Sequence, residues 1–215
     1  MKKTICSILA LLILVSGTLT GCTGSEPFDK EFVISASSVY GVKVLADDAN
    51  ATSAVRSFSN KNAPSAYYVS KSKEEAQILY TQYINKNNYN PGAVVQEIVV
   101  VAVKETVVTA IYETDCCVLY FEDKSEAKAY FDSYTAMLKG DHRTNKIGKM
   151  DGYSYAITYM LTANRDGNCD WMKGVYQKGN SVLIISGFSP IGIQDTYSDY
   201  IYNKLGVIDP ATLNT

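Results

Sequence analysis

The chain has one histidine, one tryptophan and five prolines in 215 residues, and its charge is nearly balanced at −2. Each scarcity excludes something. A lone histidine, His142 in the polar stretch Gly140-Asp141-His142-Arg143, cannot build a zinc site without several more ligands at suitable spacing, so no metal is expected. The absence of a basic excess argues against nucleic acid and against binding anionic lipid through charge. Of five cysteines, Cys6 and Cys22 lie near the start; Cys116, Cys117 and Cys169 are an odd number that cannot all pair within one chain, and are expected as buried thiols. The apolar run Ile5–Val15, broken only by Cys6 and Ser7, is too short for a comfortable membrane span of about 20 residues.

That run has another use. Lys2 and Lys3 precede it and small residues follow it, ending in Leu19-Thr20-Gly21-Cys22. This is the layout of an export signal, and its last four residues resemble the lipobox of bacterial lipoproteins. The resemblance implies peptidase recognition through Leu19, Thr20 and Gly21, cleavage before Cys22, and diacylglycerol on Cys22. Two acyl chains at about 0.8 kcal/mol per buried CH₂ hold a domain stably at a membrane where one chain is marginal. The expected location is the outer face of a bacterial cell membrane. Residues 1–21 form the signal, 22–31 the lipidated cysteine and flexible tether, and 32–215 a single domain. Loss of the signal leaves 194 residues, enough for one packed core, and removes two lysines, taking the net charge from −2 to −4.

Residues 28–62 are the least readable. Val42-Lys43-Val44-Leu45 suits a strand, and Asp47–Asn50 offers caps for a helix through Ala54, Val55 and Phe58. Beyond residue 66 the pattern is regular. Ala66–Val69 reads as a strand, followed by Ser72 and Glu75 at capping spacing and an apolar stripe at Ala76, Leu79, Tyr80 and Tyr83. Residues 94–103 and 107–113 read as two strands turning near Lys104-Glu105-Thr106, and Cys117–Phe121 as another. Ala127, Tyr130, Phe131, Tyr134 and Leu138 mark a second helix. Asp151-Gly152 and Gly179-Asn180 predict hairpins. Ser189-Pro190 reads as the start of a third helix, through Ile193, Tyr197, Tyr200 and Ile201 to before Gly206.

A shift of 64 residues lays Ile111–Leu119 on Val175–Leu183, apolar on apolar and turn on turn. An internal duplication is therefore expected, with units about 66–121 and 122–205. The fold class that follows is α+β: an antiparallel sheet of hairpins with about three amphipathic helices packed on one face.

No catalytic constellation stands out, and no cofactor is implied. Ser70-Lys71-Ser72-Lys73 has the Ser-x-x-Lys spacing of penicillin-binding proteins and class A β-lactamases, but the companion motifs are missing. Ser125–Lys128 repeats the spacing at another helix start, which points to capping. Asp166–Asp170 begins like a calcium loop, yet Trp171 and Gln177 stand where Gly and Glu are needed. The seventeen tyrosines are the remaining lead. Tyr153, Tyr155 and Tyr159 share a strand face and, with Trp171 on a neighbouring strand, make a candidate aromatic patch for a glycan or a protein. The expected function is a membrane-anchored, extracytoplasmic, non-enzymatic binding or accessory module. The alternative is a small exported hydrolase whose site assembles only in the fold.

Overall fold

The computed structural model describes residues 26–85, 92–107, 110–138, 144–150, 152–164, 167–190 and 195–214. The Leu19–Cys22 motif, His142 and Asp166 lie outside these residues. Eight strands form one sheet: β1 (Lys43–Val44), β2 (Ala66–Val69), β3 (Glu97–Val107), β4 (Ala110–Tyr120), β5 (Thr144–Met150), β6 (Tyr153–Asn164), β7 (Gly167–Lys178) and β8 (Ser181–Pro190). Their order is β1-β2-β3-β4-β8-β7-β6-β5. The helices are α1 (Lys30–Ser37), α2 (Ala51–Phe58), α3 (Lys73–Leu79, continued by a π-helical turn Tyr80–Ile84), α4 (Lys124–Leu138) and α5 (Tyr197–Leu205).

Local chemistry sets the element ends. Asn50 and Ser53 form a reciprocal capping box on α2, and the Ser72 hydroxyl accepts from Glu75 N–H at the start of α3. Asp123 accepts from the backbone N–H groups of Ser125 and Glu126 at the start of α4. Gly206, at φ 66°, ends α5 in the left-handed conformation that glycine adopts without steric cost. Both predicted hairpins form, with Met150 opposite Tyr153 and Lys178 opposite Ser181.

The predicted fold class needs three corrections. First, the sheet is mixed: β1 pairs with β2 in parallel, and the other pairs are antiparallel. Second, the helices cover both faces. One face carries Ile98, Val100, Cys117, Leu119, Val182 and Ile184 under α2, α3 and α4. The other carries Val99, Val101, Cys116, Val118, Leu183 and Ile185 under α1, α5 and the C-terminal segment. Alternate residues of the same strands fill two cores, as the period of two requires, and the unbroken apolar runs Ile98–Val103 and Val182–Ile185 are what a strand buried on both faces needs. Third, the 64-residue alignment fails. Thr114–Cys117 lies in the middle of β4, which runs unbroken, whereas Lys178–Ser181 is a turn.

Two smaller differences matter for the site. Ser189-Pro190 ends β8, and α5 begins only at Tyr197 behind an N-cap at Thr196. The chain is also held earlier than the expected tether boundary. Phe28 N–H donates to Ser181 Oγ at 2.8 Å, Tyr120 Oη donates to the Phe28 carbonyl at 2.5 Å, and Lys30 pairs with Glu97.

Candidate functional site

The proposed aromatic patch does not form. Tyr153, Tyr155 and Tyr159 do share a strand face, but each is buried, at 7%, 6% and 8% exposure. Tyr153 accepts from Ile208 N–H, and its ring meets that of Tyr176 at 5.9 Å. The Tyr155 ring lies against Gly148, where an added Cβ would sit 2.5 Å from its hydroxyl. Tyr159 donates to Asp170 at 2.5 Å, and burial, followed by that carboxylate, pushes its phenol up to about 12. Trp171 is on the neighbouring strand but pairs with Met160, so it projects from the opposite face. Tyr153 and Tyr155 belong to the core, where Tyr153 anchors the C-terminal segment, and Tyr159 is buried against Asp170 of β7.

The Ser-x-x-Lys spacing is structural as well. Ser70 Oγ accepts from Ile98 N–H in a buried setting, and Lys71 donates to the carbonyls of Asp47 and Ala49. Lys128 pairs with Asp132 on the surface of α4. Cys116, Cys117 and Cys169 are buried. Among the described residues no three His, Cys, Asp or Glu side chains gather as for a metal ion, and no helix is long and apolar enough to cross a membrane.

A different constellation emerges on the face covered by α2, α3 and α4. Strand register puts Ala102, Asp115, Ser186, Lys173, Thr158 and Asn145 in one row across six strands. The next row toward the Phe28 end is apolar: Val100, Cys117, Ile184, Val175, Ala156 and Ile147. The next row the other way holds the Lys104–Glu113 pair and the Phe188–Trp171–Met160 series. The polar row thus marks where the core ends and the sheet emerges toward solvent. Asp115 and Ser186 are half-buried, and Phe188 is 40% exposed.

Asp115 is the centre of this floor. The π turn after α3 brings Tyr83 over β4, where its hydroxyl donates to Asp115 at 2.7 Å and reaches Glu113 at 3.5 Å. Such turns recur at functional sites because the wider ring re-aims a side chain. The Asp115 carboxyl is raised to about 7, chiefly by burial and then by Glu113, with the Tyr83 bond and Lys104 opposing the shift. Glu113 is itself raised by burial, against the pull of Lys104 and Lys61. Lys104 donates to the carbonyls of Ser57, Phe58 and Asn60, closing the end of α2 beside the site. On the other flank, the buried Lys173 ammonium lies 5.1 Å from the Tyr134 ring centroid. Among the described residues, Thr158 Oγ1 is buried without a hydrogen-bond partner.

Chemically this is a floor with an acid that titrates near neutrality, a buried cation, hydroxyls and an apolar aromatic margin. Such a set can bind a polar ligand, or exchange a proton near pH 7. None of Asp115, Glu113, Tyr83, Ser186 or Lys173 stands out by motif. The usable signal was the spacing Glu113-x-Asp115 ahead of Cys117 and Leu119: in an unbroken strand, both acids share a face with core residues.

No protein-family model matches the chain, and no curated protein is significantly similar to it in sequence. Among solved structures, it is loosely similar to the extracellular domain of PknH from Mycobacterium tuberculosis. The TM-score is 0.43 at 14% identity, over 89% of this chain and 99% of that one.

Proposed function

We propose that this chain is an exported bacterial lipoprotein, anchored through diacylglycerol on Cys22, whose domain is a binding or accessory module. The observation that carries the anchor is the run from Lys2 to Cys22, with a charged start, a short apolar stretch and the four lipobox positions in succession. The binding reading rests on the row Asp115–Ser186–Lys173, where opposite charges and a hydroxyl line a half-buried floor beside Phe188 and Trp171. That floor takes the place of the tyrosine patch as the ligand site. In cells, labelled palmitate is expected on the wild type and absent from Cys22→Ala, and globomycin is expected to block processing of the wild type. Equal labelling of both proteins would sink the anchor.

The second reading is an exported hydrolase, and the specific observation favouring it is the Asp115–Glu113 pair. Two neighbouring carboxyls, one near neutrality, can divide the roles of acid and base. A panel of chromogenic glycosides and esters separates the readings. Turnover lost in both Asp115→Asn and Glu113→Gln supports the hydrolase, whereas ligand retention without turnover supports the binding module.

A further inference from the structure

The two ends of the sheet are not equivalent with respect to the anchor. Phe28 is the first residue clamped to the sheet, at the end where β4 finishes and β8 begins. Its ring also lies under the Lys178 ammonium, at 6.0 Å from the centroid. Asp29 then caps α1, whose first residue Lys30 pairs with Glu97 at the start of β3. All these contacts are at one end. The Asp115 row crosses β4 at its midpoint, and the floor extends from there toward the other end, through Glu113, Phe188 and Trp171, where the chain turns between β3 and β4 and between β6 and β7.

Two lengths decide what this allows. Six residue steps separate Cys22 from Phe28 and span at most about 21 Å, however they are arranged. β4 runs ten steps from Tyr120 to Ala110, about 34 Å at 3.4 Å per residue. For the Ala110 end to face the bilayer, that whole length would have to fit between Phe28 and the lipid surface. The tether is too short to permit it. The clamped end carries both Lys30 and Lys178 and the acids Asp29, Glu97, Glu122 and Asp123, so covalent reach, not charge attraction, holds it there.

We propose that the domain stands on its Phe28 end, with the surface around Tyr120, Glu122 and Lys178 apposed to lipid headgroups and the Asp115 floor turned away from them. The partner of that floor then comes from the side beyond the domain and is not a lipid of the anchoring bilayer. This rests on acylation of Cys22.

The test uses the full chain, extracted from membranes and reconstituted into phosphatidylcholine–phosphatidylglycerol vesicles that contain a headgroup nitroxide lipid. A fluorophore is placed on the exposed positions Glu122→Cys, near the clamped end, or Ile111→Cys, at the far end. Intact mass establishes the acylation of each sample. The expected result is quenching several-fold stronger at position 122 than at 111, with the difference erased by a twenty-residue Gly-Ser insertion between Ser25 and Glu26. Acylated protein quenched equally at both positions, or more at 111, overturns the orientation. An unacylated Cys22 overturns the anchor itself, and the orientation with it.

Discussion

Tyr83 donates its phenolic hydrogen to Asp115 at 2.7 Å, joining a π-helical turn to the middle of a central strand. Asp115 is raised from an ordinary 3.8 to about 7, chiefly by burial and then by Glu113. The sign of the consequence follows from proton binding. Between about pH 4 and pH 7 the native chain holds the Asp115 proton while the unfolded chain releases it, so stability falls as pH rises. Full ionisation withdraws on the order of 4 kcal/mol at 1.36 kcal/mol per pH unit, less what partial solvent contact screens. Urea denaturation at pH 4.5 and pH 8 is expected to show a distinctly smaller loss for Asp115→Asn than for the wild type. Parallel pH dependences would remove Asp115 from the account.

Tyr83→Phe tests the same contact from the other side. It deletes the donor that favours the charged carboxylate, so the Asp115 carboxyl moves further up. The cost is expected to be about 1–3 kcal/mol at pH 8, where a half-buried carboxylate loses its partner, and smaller at pH 5, where Asp115 is protonated. Carboxyl titration by NMR reads the shift directly. An unchanged titration would show that the phenol does not govern the acid.

Gly174 is a packing requirement. An added Cβ would sit 2.1 Å from the Tyr176 hydroxyl, and that side chain is fully buried and donates to the Ile208 carbonyl at 2.5 Å. The ring has no room to yield. Gly174→Ala is expected to cost about 1–3 kcal/mol through overpacking. It should also loosen the C-terminal segment Pro210–Asn214, seen as faster proteolysis there. Wild-type stability together with wild-type proteolysis would refute this packing.

Thiol chemistry offers a test of the core. Burial raises the Cys116 and Cys117 thiols well above their usual range, and Cys169 is also enclosed. The thiolate is the reactive form. The folded, acylated protein is therefore expected to be silent toward a disulfide reagent at pH 8, and to release three thiols in 6 M guanidinium. Prompt reaction of the native protein would contradict the burial.

What the sequence made legible was local. The caps at Asn50 and Ser72, the turns at Gly152 and Gly179 and the stripe of α4 depend on neighbouring residues, and all appear as read. What it hid was pairing between distant parts. A stripe says that a helix buries one side, not which side of the sheet receives it, so α5 could not be assigned to the face opposite α4. Glu113 was legible as the end of a strand, but Asp115 looked like a turn residue because charge is costly inside a strand. Only Tyr83, Lys104 and the end of α2, brought in from elsewhere, make their position tolerable. Tyr153 and Tyr155 likewise gave no hint of the C-terminal segment that covers them.

The anchor is tested most directly by the intact mass of the protein extracted from bacterial membranes. The account predicts a chain that begins at Cys22, lacks residues 1–21 and carries the added mass of diacylglycerol on that cysteine. A chain that retains residues 1–21, or begins elsewhere with an unmodified Cys22, would contradict it.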